Sequence, residues 1–108
     1  MGRGDYLGEF EQIVLLAVAR IDDGPYGMRI RREIEERSGR AVTIGAVYAT
    51  LDRLEDKGLV RSRESQSGGR ARRFFMLTPA GVDALEAARE LHARMWAGLR
   101  LGRMGRRP

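Results

Sequence analysis

Apolar residues recur at steps of three and four near the start of the chain: Phe10, Ile13, Val14, Ala17, Val18 and Ile21. That spacing places them on one face of an α-helix. The helix is predicted to end at Asp22-Asp23-Gly24-Pro25, because Gly24 suits the left-handed position after a helix and Pro25 cannot continue one. Tyr26, Ile30 and Ile34 mark a second, short helix that is charged on its other faces and stops near Ser38-Gly39. Thr43 is an N-cap for a third helix, in which Val47, Leu51 and Leu54 form the apolar stripe and Gly58 is the terminator.

After Gly58 the period changes. Leu59-Val60-Arg61-Ser62-Arg63 and Arg72-Arg73-Phe74-Phe75-Met76-Leu77 read as two short strands around the polar, glycine-bearing loop Ser65–Arg70, a β-hairpin. Thr78-Pro79 restarts a helix, with Thr as cap and Pro in the first turn. In this last helix Val82, Leu85, Ala88, Leu91, His92, Met95, Trp96 and Leu99 make a broad apolar stripe. The stripe is longer than a small three-helix core can cover, so a second subunit is predicted to bury the surplus.

The order helix–helix–helix–hairpin–helix predicts a mainly α, α+β chain: a winged helix-turn-helix with a long C-terminal dimerisation helix. Its divisions are a flexible N-terminus over 1–7, the winged helix over 8–78, the dimerisation helix over 79–101 and a disordered basic tail over 102–108. In such a fold the third helix enters the major groove and the hairpin, or wing, reaches adjacent backbone. Gly45, Ala46, Ala49 and Thr50 are small enough to let that helix approach a duplex closely. Tyr48 and Arg53 are the longer reachers, and Thr43 sits at the helix end whose free N–H groups attract phosphate.

Composition narrows the reading. A chain of 108 residues has room for one modest core, and Cys 0 excludes disulfides, thiolate metal sites and a Cys nucleophile. His92 is the only histidine, so no zinc site is expected, and no metal or cofactor. The longest apolar run, Ile13–Ala19, is far short of the roughly 20 residues that span a bilayer. No export signal is read either, so the expectation is a cytoplasmic protein without a membrane partner. No Gly-rich phosphate loop and no nucleophile-with-base set is found, which argues against an enzyme.

Charge then sharpens the picture through its position. Lys57 is the only lysine among the 20 basic residues, the rest being arginine. GC-rich codon usage would produce the same bias, so place is more informative than ratio. Arg61, Arg63, Arg70, Arg72 and Arg73 stand against one acid, Glu64, between positions 61 and 73. Such a local basic stripe is the footprint of duplex DNA. Gly69, Arg70 and Arg72 at the hairpin tip are assigned to DNA, with phosphate contact by the two arginines favoured over a merely solvated hairpin.

Other residues are open to two readings. Tyr48 lies off the apolar stripe, and either contacts the DNA backbone or packs partly into the core. Arg53 either meets DNA or pairs with Glu55 or Asp56. Arg29, Arg31 and Arg32 read as a mixed solvated face. Leu85, Ala88, Leu91, His92, Met95, Trp96 and Leu99 are assigned to the dimer interface. Trp96 is also a candidate for stacking a small aromatic inducer between subunits, although dimer packing is the simpler account. The tail arginines Arg103–Arg107 read as a soluble end, with a DNA or membrane-surface role as the other reading.

The segment Ile44–Val60 (IGAVYATLDRLEDKGLV) resembles the signature of PadR-type regulators, as do Tyr26-Gly27 and Arg73–Gly81 (RFFMLTPAG). The resemblance covers about residues 8–90. It implies a dimeric repressor of a pseudo-palindromic operator, with recognition by the third helix, backbone contacts by the wing and dimer contacts by the terminal helices. Tyr48-Ala49 stands where many members have Tyr-Pro, and Phe74-Phe75 where many have Tyr-Tyr, so hydroxyl bonds made there in relatives are absent. The single helix after the wing resembles the short-tailed branch. In the expected dimer the two recognition helices stand about 34 Å apart, one turn of B-DNA. The other classes the residues admit are a winged-helix protein-interaction module and a non-specific DNA-packaging protein.

Overall fold

The computed structural model describes residues 6–102. Its elements run α1 (Glu9–Arg20), α2 (Gly27–Ser38), α3 (Ile44–Asp56), β1 (Val60–Ser67), β2 (Arg70–Leu77) and α4 (Pro79–Trp96). This is the winged-helix order read from the periodicities. The core is made where the three apolar stripes meet: Val14, Leu15 and Val18 of α1, Ile30 and Ile34 of α2, and Val47, Leu51 and Leu54 of α3. Val60 and Phe75 close it from the hairpin.

Caps fix where the helices begin and end. Thr43 and Thr78 accept from the backbone N–H groups of Ala46 and Gly81, each at 3.0 Å, satisfying donors that a helix start leaves free. Gly39 and Gly58 take positive φ after α2 and α3, as the sequence suggests. Gly81 has a different task. A Cβ there would stand less than 3.0 Å from the Leu59 carbonyl oxygen, so α4 starts pressed against the entry to the wing. The Thr78 N–H donates to that same carbonyl at 3.1 Å.

Three expectations are corrected. The hairpin loop is not Ser65–Arg70: the strands pair as far as Ser67↔Arg70, leaving only Gly68-Gly69 as the turn. Both glycines have positive φ, 59° and 80°, as a two-residue turn matching strand twist requires. Tyr26 is not on the α2 stripe but precedes the helix as its N-cap, where it makes an isolated antiparallel bridge to Phe74 beside the two-stranded sheet. Finally, α4 ends at Trp96 rather than 101, because Gly98 turns the chain at φ 76°. The predicted tail from 102 lies, beyond Gly102, outside the described residues.

α4 packs on the body only through its first half, where Gly81 is buried and Ala84, Leu85 and Ala88 are half-buried. From Arg89 to Gly102 every residue is exposed. The outline, 61 × 32 × 22 Å, reflects this projecting arm. No helix among the described residues is long and apolar enough to cross a membrane.

Candidate nucleic-acid interface

Because Val47, Thr50, Leu51 and Leu54 face inward, the opposite side of α3 is an open stripe of Gly45, Ala46, Ala49, Asp52 and Arg53. Nothing lies within 4 Å of the place a Cβ would occupy at Gly45. Thr43 sits exposed at the start of the same helix. Thr50 does not belong to the stripe: it is buried, and its hydroxyl accepts from Arg53 Nη2 at 3.1 Å. Arg53 pairs with neither Glu55 nor Asp56; its Nε lies 3.7 Å from Glu11 of α1, and the side chain stays 57% exposed.

Tyr48 is half-buried, with its ring laid across Gly27 at the first turn of α2. A side chain at position 27 would occupy the space of the Tyr48 ring. The structure thus joins the Tyr26-Gly27 and Tyr48 motifs, which are 21 positions apart in sequence, into one contact.

The strand register sorts the wing arginines. Directly paired residues of an antiparallel ladder share a face, and faces alternate along each strand. The pairs Arg61↔Met76, Arg63↔Phe74 and Ser65↔Arg72, with Arg70 two residues before Arg72, put four arginines on one face. No acid shares it. Glu64↔Arg73 and Ser62↔Phe75 belong to the other face, which carries Val60, Phe75 and Leu77 toward the core. On the arginine face the Arg72 guanidinium stacks 4.3 Å from the Tyr26 ring centroid, and Arg63 lies 5.8 Å from that of Phe74. Tyr26 and Phe74 meet edge to face at 5.9 Å. Arg70 and Gly69 are exposed at the tip.

Arg73, read from sequence as one of the stripe, is committed inward. Nη2 donates to Glu55 at 2.6 Å, Nη1 to Asp52 at 3.0 Å and Nε to Ser62 Oγ at 3.2 Å. The guanidinium also lies 4.9 Å from the buried Phe75 ring centroid. Ser62 bonds, with Arg73, hold the Glu55 carboxyl below its usual pKa despite the opposing effect of burial.

Glu11 is the functional neighbour that sequence reasoning missed. It is an acid on the apolar stripe of α1, three residues before Val14, and such a placement signals a buried partner. The partner is Lys57, whose Nζ donates to both carboxylate oxygens at 2.9–3.0 Å, while the Gly8 N–H adds a bond at 2.9 Å. Burial alone would raise this carboxyl's pKa; Gly8, Lys57 and Arg53 outweigh it and hold the value low. Glu11 therefore ties the start of α1 to the end of α3.

The residues assigned to a dimer interface lie on α4, except Leu99, which follows the turn at Gly98. Leu85 and Ala88 border α1, and an open groove of about 310 Å³ runs between Gln12 and Leu16 on one side and Leu85, Ala88 and His92 on the other. Leu16, Leu91, Met95, Trp96 and Leu99 are exposed by 42–71%.

Residues 15–87 match the Transcriptional regulator PadR-like family. The chain belongs to this family. Among curated proteins, it is 42% identical over 64 residues to Transcriptional regulator Rv3488 of Mycobacterium tuberculosis, covering 59% of each chain. It is 45% identical over 84 residues to an uncharacterized 37.1 kDa protein in transposon TN4556 of Streptomyces fradiae, covering 77% of this chain. The chain spans 59% and 22% of the length of these two relatives. A PadR family transcription regulator from Clostridium difficile superposes with a TM-score of 0.68 at 30% identity, over 82% of this chain and 90% of that one. Bacillus subtilis PadR in complex with operator DNA shares the fold, with a TM-score of 0.65 at 20% identity, over 73% of this chain and 45% of that one.

Proposed function

We propose that this PadR-like chain is a cytoplasmic transcriptional repressor that binds a pseudo-palindromic DNA operator as a homodimer. One observation carries the reading. An unobstructed α3 stripe of Gly45, Ala46 and Ala49 adjoins a hairpin whose Arg61, Arg63, Arg70 and Arg72 share one face, to which the strands add no acid. Small residues admit the helix to the major groove, and the arginines supply phosphate ligands without reading sequence. Thr43, Tyr48 and Arg53 flank the stripe as further contacts. The operator complex of Bacillus subtilis PadR, which shares the fold, supports this use of it.

Homodimerisation rests on the exposed apolar residues Leu91, Met95 and Trp96 of α4 and Leu99 beyond it, next to half-buried Leu85 and Ala88. A single subunit of this size leaves that surface in water, whereas a twofold partner offers the same surface in return. Trp96 and His92 serve this packing.

The test is fluorescence anisotropy with labelled duplex from the DNA upstream of the chain's own coding sequence, against a random duplex. Tighter binding to the upstream duplex supports a specific regulator. Equal affinity for both replaces it with a packaging protein, and no binding at low salt replaces it with a protein-interaction module.

A further inference from the structure

The wing has one arginine that cannot serve phosphate and bind its present partners together. We propose that Arg73 is a positioning residue, which fixes the wing on α3 and thereby places the four arginines of the opposite face. The proposal rests on the DNA-binding reading above.

Geometry supports it in three ways. First, the register turns Arg73 away from Arg61, Arg63, Arg70 and Arg72, so it does not extend their row. Second, its guanidinium joins three elements: Asp52 and Glu55 of α3, Ser62 of β1, and its own strand β2. Ser62 completes the junction, because its backbone N–H donates to Glu55 at 3.1 Å and its hydroxyl reaches the same carboxylate at 2.8 Å. Third, the ladder continues past the Glu64↔Arg73 pair through Ser65↔Arg72, Gln66↔Ala71 and Ser67↔Arg70 to the turn. Those three pairs extend about 10 Å at the rise of a β-strand, so a small tilt at Arg73 becomes an ångström-scale displacement of Arg70. Charge-assisted bonds to phosphate need donor–acceptor distances near 2.8 Å, so an unfixed wing holds the binding geometry in only a fraction of free molecules and must be ordered on binding.

The charges point the same way. Two carboxylates face one guanidinium, so the cluster is net negative and would repel a phosphate placed on Arg73. Asp52 is 59% exposed on the open stripe of α3, and Arg73 masks its charge from that side.

The two roles predict opposite effects for Glu55→Gln, which adds one unit of positive charge. If Arg73 were a phosphate ligand, the substitution would free it and tighten binding. If Arg73 positions the wing, affinity for the preferred duplex falls by about tenfold. The slope of log affinity against log salt then stays unchanged, because the same four arginines reach phosphate once the loosened wing is ordered in the complex, and only the ordering cost is added. Arg73→Ala should likewise weaken binding without lowering that slope, and Arg73→Lys should recover part of the loss. Amide hydrogen exchange on the free protein provides a readout independent of DNA: in Arg73→Ala the wing amides from Ser65 to Arg72 should exchange faster while those of α1 do not. Tighter binding by Glu55→Gln, a slope reduced by about one in Arg73→Ala, or unchanged wing exchange would each overturn the proposal. If Glu55→Gln fails to fold, the exchange measurement on Arg73→Ala decides: faster wing exchange supports positioning, and unchanged exchange refutes it. Failure of the unsubstituted protein to bind any duplex would refute the DNA reading, while the exchange result would still report whether Arg73 holds the wing.

Discussion

The ring of Tyr48 on α3 lies across Gly27 of α2, and a Cβ at position 27 would come within 3.0 Å of it. Alanine inside a helix is ordinarily favoured over glycine by up to about 1 kcal/mol. At this position overpacking should reverse the sign, with Gly27→Ala costing about 1–3 kcal/mol in denaturant unfolding. Combined with Tyr48→Ala, which removes the ring, Gly27→Ala should become neutral or stabilising, giving a large coupling in a double-mutant cycle. A Gly27→Ala variant more stable than the parent would contradict the contact. Tyr48→Phe leaves this packing in place, so any loss of DNA affinity in that variant belongs to the hydroxyl.

Acid should weaken the tie between α1 and α3. The Glu11 carboxyl is held below its ordinary pKa in the folded chain, so its contribution is complete above the unfolded value of about 4.3. It is lost as pH falls through the depressed folded value. Near neutral pH, Glu11→Gln should therefore unfold at lower denaturant than the parent, and the gap should narrow as pH drops from about 6 to 3. A gap that stays constant or widens on acidification would show that the Lys57–Glu11 pair does not stabilise the fold.

The α4 surface should be the subunit interface. Leu85→Asp and Met95→Asp each place a charge where a partner would bury it, at a cost of several kcal/mol. Sedimentation should show a dimer for the parent and monomers for both variants. Trp96, 56% exposed in the single chain, should emit at shorter wavelength in the dimer than in the Leu85→Asp monomer. Stable dimers in both variants would move the interface elsewhere. A flat aromatic compound that shifts Trp96 emission without changing mass would reveal a ligand site at the same place.

Much of this was legible because helix caps and apolar stripes are local signals. Thr43, Gly58 and Thr78 mark element ends within a residue or two, and the stripes of α1 and α3 name their core residues directly. What the sequence could not show depends on contacts between distant positions. Arg73 and Arg72 are neighbours in sequence and look alike there, yet the alternation of a strand sends one to Glu55 and the other to Tyr26. Thr50 looked like a small surface residue because its hydroxyl is polar, but Arg53 satisfies that hydroxyl and lets it be buried. The end of α4 was placed too late because Leu99 continues the apolar stripe past Gly98, where the backbone turns. Glu11 carried a signal, an acid on an apolar face, without naming Lys57 as its partner.

The central claim is that the arginine face of the wing binds DNA phosphates. Its most direct test is the slope of log affinity against log salt for the parent and for the Arg70→Ala/Arg72→Ala double variant on one duplex. The account predicts a steep parent slope, and a double variant that binds operator and random DNA more weakly with a slope smaller by about two. A double variant with the parent's slope and affinity would contradict it.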